Sequence, residues 1–376
     1  CTSGQIYWVW QYLQARGKGL PAPDDPRRVE RTFMEDIAAV HRFHNINLDY
    51  ASVAVAGRPN VFRPAYNLFQ PLINDYTLEL WQKSLQAAAR IFADPFRTFW
   101  LEEITRAYPG RLLIPQFPAT LFEDIATVFK QETKIGIAFN SYCPREGVEY
   151  VYLNDAAMER LSPDGPKYRQ GYVSASRSFG HNPTSPTAKR TVYQPITSAA
   201  VRDGLWIYEY GFDRSPSAEP RKQLVDGAYY RQIMLKEVQA ADVIFVARPI
   251  NARWLPTHDE EKADLPGSYV ELQDLKTEVT FNGSYVGERA QIAIINDLVA
   301  QRDAAIALGI LPADSSFLGG YKHLDLIEVE IQEQRSFFDY IFESHEVFVA
   351  AGQALNRVLE QDSYVAALLH ERARTA

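Results

Sequence analysis

QLVDGAYYRQIMLKEVQAADVIFVARP, residues 223–249, decides the reading of this chain. The pattern predicts a strand end carrying Asp226, a tight Gly227-Ala228 turn, an amphipathic helix near 231–239 and a buried strand over Val243–Ala247. A carboxylate at a strand end, followed by a glycine that lets the backbone turn sharply, is a common way to hold an acid over an active site. Asp-Gly is equally a frequent plain turn, so the flanking segments carry the argument.

Working outward, residues 5–15, QIYWVWQYLQA, read as a helix that is apolar on nearly every side. Amphipathic helices follow over 27–44 and 76–93, with a strand candidate, LDYASVAVA, between them. The segment 119–132, ATLFEDIATVFKQE, predicts a helix that feeds a strand, KIGIAFNSY. A PREG turn with Gly147 and a second strand, VEYVYLN, complete a hairpin. Residues 162–195, rich in Ser, Pro, Thr and Gly, read as a long surface loop or lid. Beyond the Asp226 unit come a polar insertion, THDEEKADLPGS, a long helix over 284–307, a strand, LDLIEVEI, and terminal helices near 336–346 and 347–372. Strands alternate with helices throughout, which predicts an α/β layer fold with a mostly parallel sheet.

Composition narrows the function. The 376 residues carry a formal net charge of −8, which argues against a nucleic-acid partner, since such proteins show a basic stripe. With 46% hydrophobic and 23% charged residues, the composition is that of a soluble globular protein with ample core. Two cysteines, Cys1 and Cys143, allow one bridge but neither a disulfide framework nor a paired-cysteine zinc site. No stretch approaches the ~20 apolar residues needed to cross a bilayer. The 21 tyrosines and 20 phenylalanines are a high aromatic load, accounted for by core packing. Phe117, Phe122, Trp206, Tyr208 and Tyr210 could equally line an acyl-chain groove. No phosphate-cradling glycine loop or dinucleotide fingerprint is present.

The opening CTSGQ followed by a buried-type helix has the form of a nucleophile elbow, a hydroxyl at a sharp turn into a helix. Two registers are open. With Thr2 as nucleophile, Gly4 occupies the small-residue position two places on, but the extra methyl is awkward at a strained turn. Ser3 offers the better hydroxyl, with Gln5 where a glycine is wanted. His41-x-x-His44 has a helical metal spacing, yet no third ligand is evident, and a polar helix surface explains it. His181 is more simply a solvated loop histidine than a base. The acidic run Asp259-Glu260-Glu261 reads as a solvated loop.

Asp226-Gly227-Ala228, with the helix and strand that follow, resembles the Asp-Gly-Gly/Ala motif of the patatin-like phospholipases, serine lipid acyl hydrolases with a Ser–Asp dyad. TSAAVRDGLWIYEYGFD resembles the segment before that motif. IGIAFNSYCPREGVEYVYLN resembles the family's mid-domain hairpin, and HLDLIEVEI with FVAAGQALNRVLEQ resembles its closing strand and helix. The resemblance spans almost all of the chain. It implies one three-layer α/β domain over residues 1–376, a lipid or acyl-ester substrate, peripheral membrane contact, and no metal or cofactor. Residue by residue, it makes Asp226 the base for a Thr2 or Ser3 nucleophile, with Gly4, Gly227 and Ala228 as turn residues. The family's first strand and glycine-rich oxyanion loop precede the elbow, so the resemblance places them upstream of Cys1. An alternative expectation is an outer-membrane lipoprotein, with Cys1 its acylated residue, that kept the fold for binding rather than catalysis.

Overall fold

The computed structural model describes residues 1–2, 4–17, 54–55, 58–59, 75–94, 120–161, 173–175, 190–208, 223–238, 243–248, 269–315, 321–331 and 344–361, with single residues 103, 212, 241, 266, 317, 365 and 367 besides. The architecture is α/β. The chain divides into two compact units, Cys1–Ala156 with Arg169–Gly227, and Ala157–Tyr168 with Ala228–Ala376.

In chain order the helices are α1 (Gln5–Gly17), α2 (Asp75–Ala93), α3 (Leu121–Gln131), α4 (Asp155–Leu161), α5 (Ser198–Gly204), α6 (Leu235–Val238), α7 (Tyr269–Ala307) and α8 (Ser344–Gln361). The strands are β1 (Ala54–Val55), β2 (Arg58–Pro59), β3 (Ala138–Cys143), β4 (Val148–Leu153), β5 (Val173–Ala175), β6 (Arg190–Pro195), β7 (Val225–Asp226), β8 (Val243–Arg248) and β9 (Asp325–Glu330). The helix expected over 27–44 lies outside the described residues.

The first unit is built on a five-stranded sheet in the order β5-β6-β4-β3-β7. A mostly parallel sheet was expected, and this one is mixed. Only β4 and β6 run parallel, while β3–β4, β3–β7 and β5–β6 are antiparallel. The reason is local: Gly147, at φ +62°, closes a tight turn, and a hairpin is necessarily antiparallel. The expected loop over 162–195 also needs correction. Val173–Ala175 and Arg190–Pro195 are strands, because Thr191, Val192 and Tyr193 are β-formers beside the buried edge of β4.

Helices α1, α3 and α5 cover one face of this sheet. Phe139 of β3 stacks against Tyr152 of β4 at 5.3 Å and against Phe129 of α3 at 6.3 Å. Gly204, at the end of α5, lets that helix approach, since a Cβ there would lie 2.7 Å from Ile6 of α1. Ile6, Ile125, Phe129, Phe139, Ala200 and Val201 are fully buried in this core. Truncating Phe139 to alanine would cost about 3–5 kcal/mol. Both neighbouring helices start on a threonine: Thr120 precedes α3, whose first turn carries Glu123 and Asp124, and the Thr197 hydroxyl accepts from Ala200 N at 3.1 Å. The carbonyls at the end of α3 meet Asn154, whose Nδ2 donates to Phe129, Glu132 and Ile135 oxygens at 3.3, 3.0 and 2.9 Å.

The second unit holds the parallel pair β8–β9 and the 39-residue α7. Its helix begins at Tyr269, fifteen residues before the expected start at residue 284, because no proline interrupts the chain after Pro266. Buried Glu278, Tyr285, Ile292 and Val299 recur every seventh residue, a straight seam along one side. The expected helix over 231–239 shortens to Leu235–Val238. Glu288 explains this, since its carboxylate accepts from the main-chain N–H groups of Gln232 and Ile233 (2.7 Å for Ile233), holding them out of helical geometry. Val243–Ala247 is not a buried strand as expected. Ile244 and Val246 pack on the core while Phe245 is 45% exposed, the alternation of a strand covered on one face. The expected break between helices at 346/347 is absent, since α8 runs through it without proline or glycine at that point.

Candidate active site at the edge of strand β3

The main-chain alternation of β3 organises the candidate site. Asn154 N donates to Ile137 O at 3.1 Å, so odd-numbered residues of this strand direct their peptide groups toward β4. Even-numbered residues therefore direct theirs to the opposite edge, where β7 pairs Val225 with Tyr142 and Asp226 with Ser141. The strand β7 ends at Asp226, and residues Gly227–Tyr229 leave in a 3-10 turn. Farther along the same edge, the Ala138 carbonyl accepts the Cys1 amine at 2.7 Å. The backbone entering the N-terminal turn thus occupies the part of the β3 edge that β7 vacates. Asp226 and Cys1 lie opposite positions three residues apart on β3, about 10 Å along the strand.

Thr2, 7% exposed, starts this turn; its carbonyl accepts from Gln5 N at 3.2 Å and its own N–H donates to Gln5 Oε1 at 3.2 Å. Gln5 therefore has a job of its own at the start of α1. Gly4 follows in the turn, with its carbonyl accepting from Tyr7 N. Ser3 lies outside the described residues, as do His41, His44, His181, Phe117, Tyr210 and the run Asp259-Glu260-Glu261. Phe122 and Trp206 are half-buried and Tyr208 is 39% exposed.

Asp226 is 1% exposed, and its N–H donates to Trp206 O at 2.7 Å. Gly227 is glycine for a reason other than the sharp turn expected of it. The positive-φ glycines among the described residues are Gly147 and Gly309. At Gly227 the constraint is space: a Cβ would overlap the Asn140 side chain, whose Nδ2 donates to Gly227 O at 3.4 Å. Asn140 cannot step aside freely, because the same Nδ2 donates to the buried Glu149 carboxylate at 3.0 Å, which also accepts from Thr191 at 3.1 Å. Ala228 is buried in the 3-10 turn.

On the other face of β3 a second polar group meets the site. Ser141 Oγ lies 3.1 Å from the Tyr152 hydroxyl, which donates to Asp203 Oδ2 at 3.5 Å, and Arg202 pairs with Asp203 Oδ1 at 2.9 Å. The Arg202 guanidinium stacks 4.0 Å from the Trp206 ring centroid. The sequence reading passed over Asn140, Ser141, Glu149, Tyr152 and Asp203. The available signal was polar residues set within an otherwise apolar hairpin. Among the described residues no three His, Cys, Asp or Glu side chains converge as a metal site, and no helix is long and apolar enough to cross a membrane. No family model, curated protein or solved structure matches the chain.

Proposed function

We propose that this chain is a lipid acyl-ester hydrolase of patatin type, acting through a hydroxyl–aspartate dyad without metal or cofactor. The observation that carries the reading is the placement of buried Asp226 and the N-terminal turn on one edge of β3. In this scheme the oxygen of Thr2 or Ser3 attacks the ester carbonyl while its proton passes to the Asp226 carboxylate. The tetrahedral intermediate collapses, Asp226 returns the proton to the departing alcohol, and an acyl-enzyme remains. Water then attacks the acyl carbon, giving its proton to Asp226, and the free fatty acid leaves with the hydroxyl restored. The order of hairpin, α5 and Asp226 strand supports the finer assignment to a three-layer patatin-like fold.

Burial favours a second reading as well. Thr2 and Asp226 are both closed from solvent, which suits a lipid-binding protein that retains the fold without turnover. One experiment separates the two. A fluorophosphonate probe is incubated with the chain and the modified residue is mapped by mass spectrometry. The hydrolase reading expects label on Thr2 or Ser3, lost in Asp226→Asn with the circular dichroism spectrum retained. Undiminished labelling of Asp226→Asn refutes the dyad. Absent labelling, with stabilisation by phospholipid vesicles, favours the binding protein.

A further inference from the structure

We propose that the outward face of α7 docks against the same face of a second copy of this chain, with the two helices running antiparallel. The side of α7 turned away from the Tyr285 seam is apolar and open. Leu272, Val279, Val286 and Ile294 are 48, 60, 58 and 58% exposed, and they follow one another at steps of seven or eight residues. At about 100° per residue, such steps keep all four within one narrow stripe. Gly283 and Gly287 lie in the same stripe, one turn apart in the middle of a 39-residue helix. Glycine is the poorest helix former after proline, so two of them in a helix interior need a reason. None is found among the described residues: neither has a positive φ, and a Cβ on either would meet nothing within 4 Å. Small residues one turn apart let the backbone of a second helix approach closely.

Charge selects both the occupant and its direction. Lys276 and Asp297 are the charged residues of the stripe. Both are exposed, and no opposite charge stands three or four residues from either. They are equidistant from the Val286–Gly287 peptide, about 16 Å to each side. A second copy laid antiparallel about that point sets Lys276 level with Asp297 of the second copy, and does so twice. The same operation sets Val279 level with the second copy's Ile294. Each glycine then receives a side chain from the other copy, Gly283 that of Ala290 and Gly287 that of Val286. A parallel pairing would instead set lysine against lysine and aspartate against aspartate. The stripe is a poor match for a lipid surface, whose helices carry Lys/Arg-rich flanks and aromatic residues. A strip about 44 Å long and one helix wide, about 10 Å, buries roughly 440 Å² per copy. That is below the ~800 Å² per partner of a standard stable interface, so the pair should form and dissociate with concentration. Nothing in this pairing depends on the reading of Asp226.

Sedimentation velocity on the full chain, from about 1 to 200 μM at low salt, tests the pairing. A monomer–dimer equilibrium that shifts with concentration is expected, weakened by added salt because the two ion pairs are exposed. Lys276→Glu sets like charges together at both ends and should raise the dimer Kd about tenfold. Adding Asp297→Lys swaps the pair and should restore the parent Kd. Gly283→Leu with Gly287→Leu should abolish the dimer while raising the urea midpoint, because leucine is the better helix former. That opposite pair of shifts separates a lost interface from a damaged fold. A monomer at every concentration overturns the proposal, including a monomer whose stripe is taken up by phospholipid vesicles. A dimer whose Kd ignores Lys276→Glu overturns it equally, since it is parallel or uses another surface. If the double leucine variant does not fold, the charge swap, confined to two exposed residues, decides the case.

Discussion

Gly227→Ala places a methyl group where the Asn140 amide already sits. Two responses are open to the protein, and both cost stability. If Asn140 holds its place, the backbone of the 3-10 turn must shift within a fully buried site, an overpacking cost of about 1–3 kcal/mol. If Asn140 swings away, the buried Glu149 carboxylate loses a donor at 3.0 Å, a bond to a charged group worth about 1.5–3 kcal/mol. Relaxation will mix the two, so the expected loss is about 2–4 kcal/mol. Equilibrium urea unfolding of purified parent and variant measures it, with Asn140→Ala and the double variant completing a cycle. Because Asn140→Ala removes the obstructing amide, the two substitutions should be less damaging together than the sum of their separate effects, by about 1–2 kcal/mol. Additive costs, or a loss below about 0.5 kcal/mol for Gly227→Ala, would show that space is not what reserves this position for glycine.

Three further outcomes follow from other contacts. Asn154→Asp replaces a donor facing three carbonyl oxygens with an acceptor and should cost about 3 kcal/mol at pH 8. That carboxyl is raised by its surroundings, so the folded form holds the proton more tightly than the unfolded one, and urea midpoints should recover as pH falls toward 5. Arg231→Met strips a bidentate partner, at 2.8 and 3.1 Å, from the 4%-exposed Glu237, at an expected cost of about 3–5 kcal/mol; adding Glu237→Leu should recover most of it. Burial pushes the Cys143 thiol up, so it is protonated in the fold at pH values where the unfolded chain has lost that proton. Stability should decline above about pH 8.5, and Cys143→Ala should flatten that slope; native Cys143, 1% exposed, should resist Ellman's reagent until urea is added.

What was legible in the sequence was local. The β3–β4 hairpin announced itself through two apolar runs and Gly147, and the helices α1, α2 and α3 through their apolar spacing. Asp226 was legible as a strand end because its own neighbours, Val225 and Gly227, carry the signal. The reason for Gly227 was not, because its obstacle is Asn140, 87 residues away. The Ser141–Tyr152 hydroxyl contact was invisible for the same cause: it depends on a cross-strand register that no local pattern encodes. Composition misled over 162–195, where prolines and serines around Thr191-Val192-Tyr193 obscured a strand that pairs with β4. It misled again at β8, whose apolar run packs on only one face.

The β3–β7 pairing also has a consequence for synthesis. The hairpin needs only a four-residue turn and forms within microseconds once both its strands are available. Its far edge must then wait for a partner about 85 residues downstream, which at about 5–20 residues per second takes roughly 4–17 s on the ribosome. During that interval the even-numbered peptide groups of β3 face outward, an open edge of the kind that recruits stray strands. The edge bearing Asp226 is therefore completed late, and a translational pause between residues 143 and 225 should lower soluble yield without altering any contact in the finished protein.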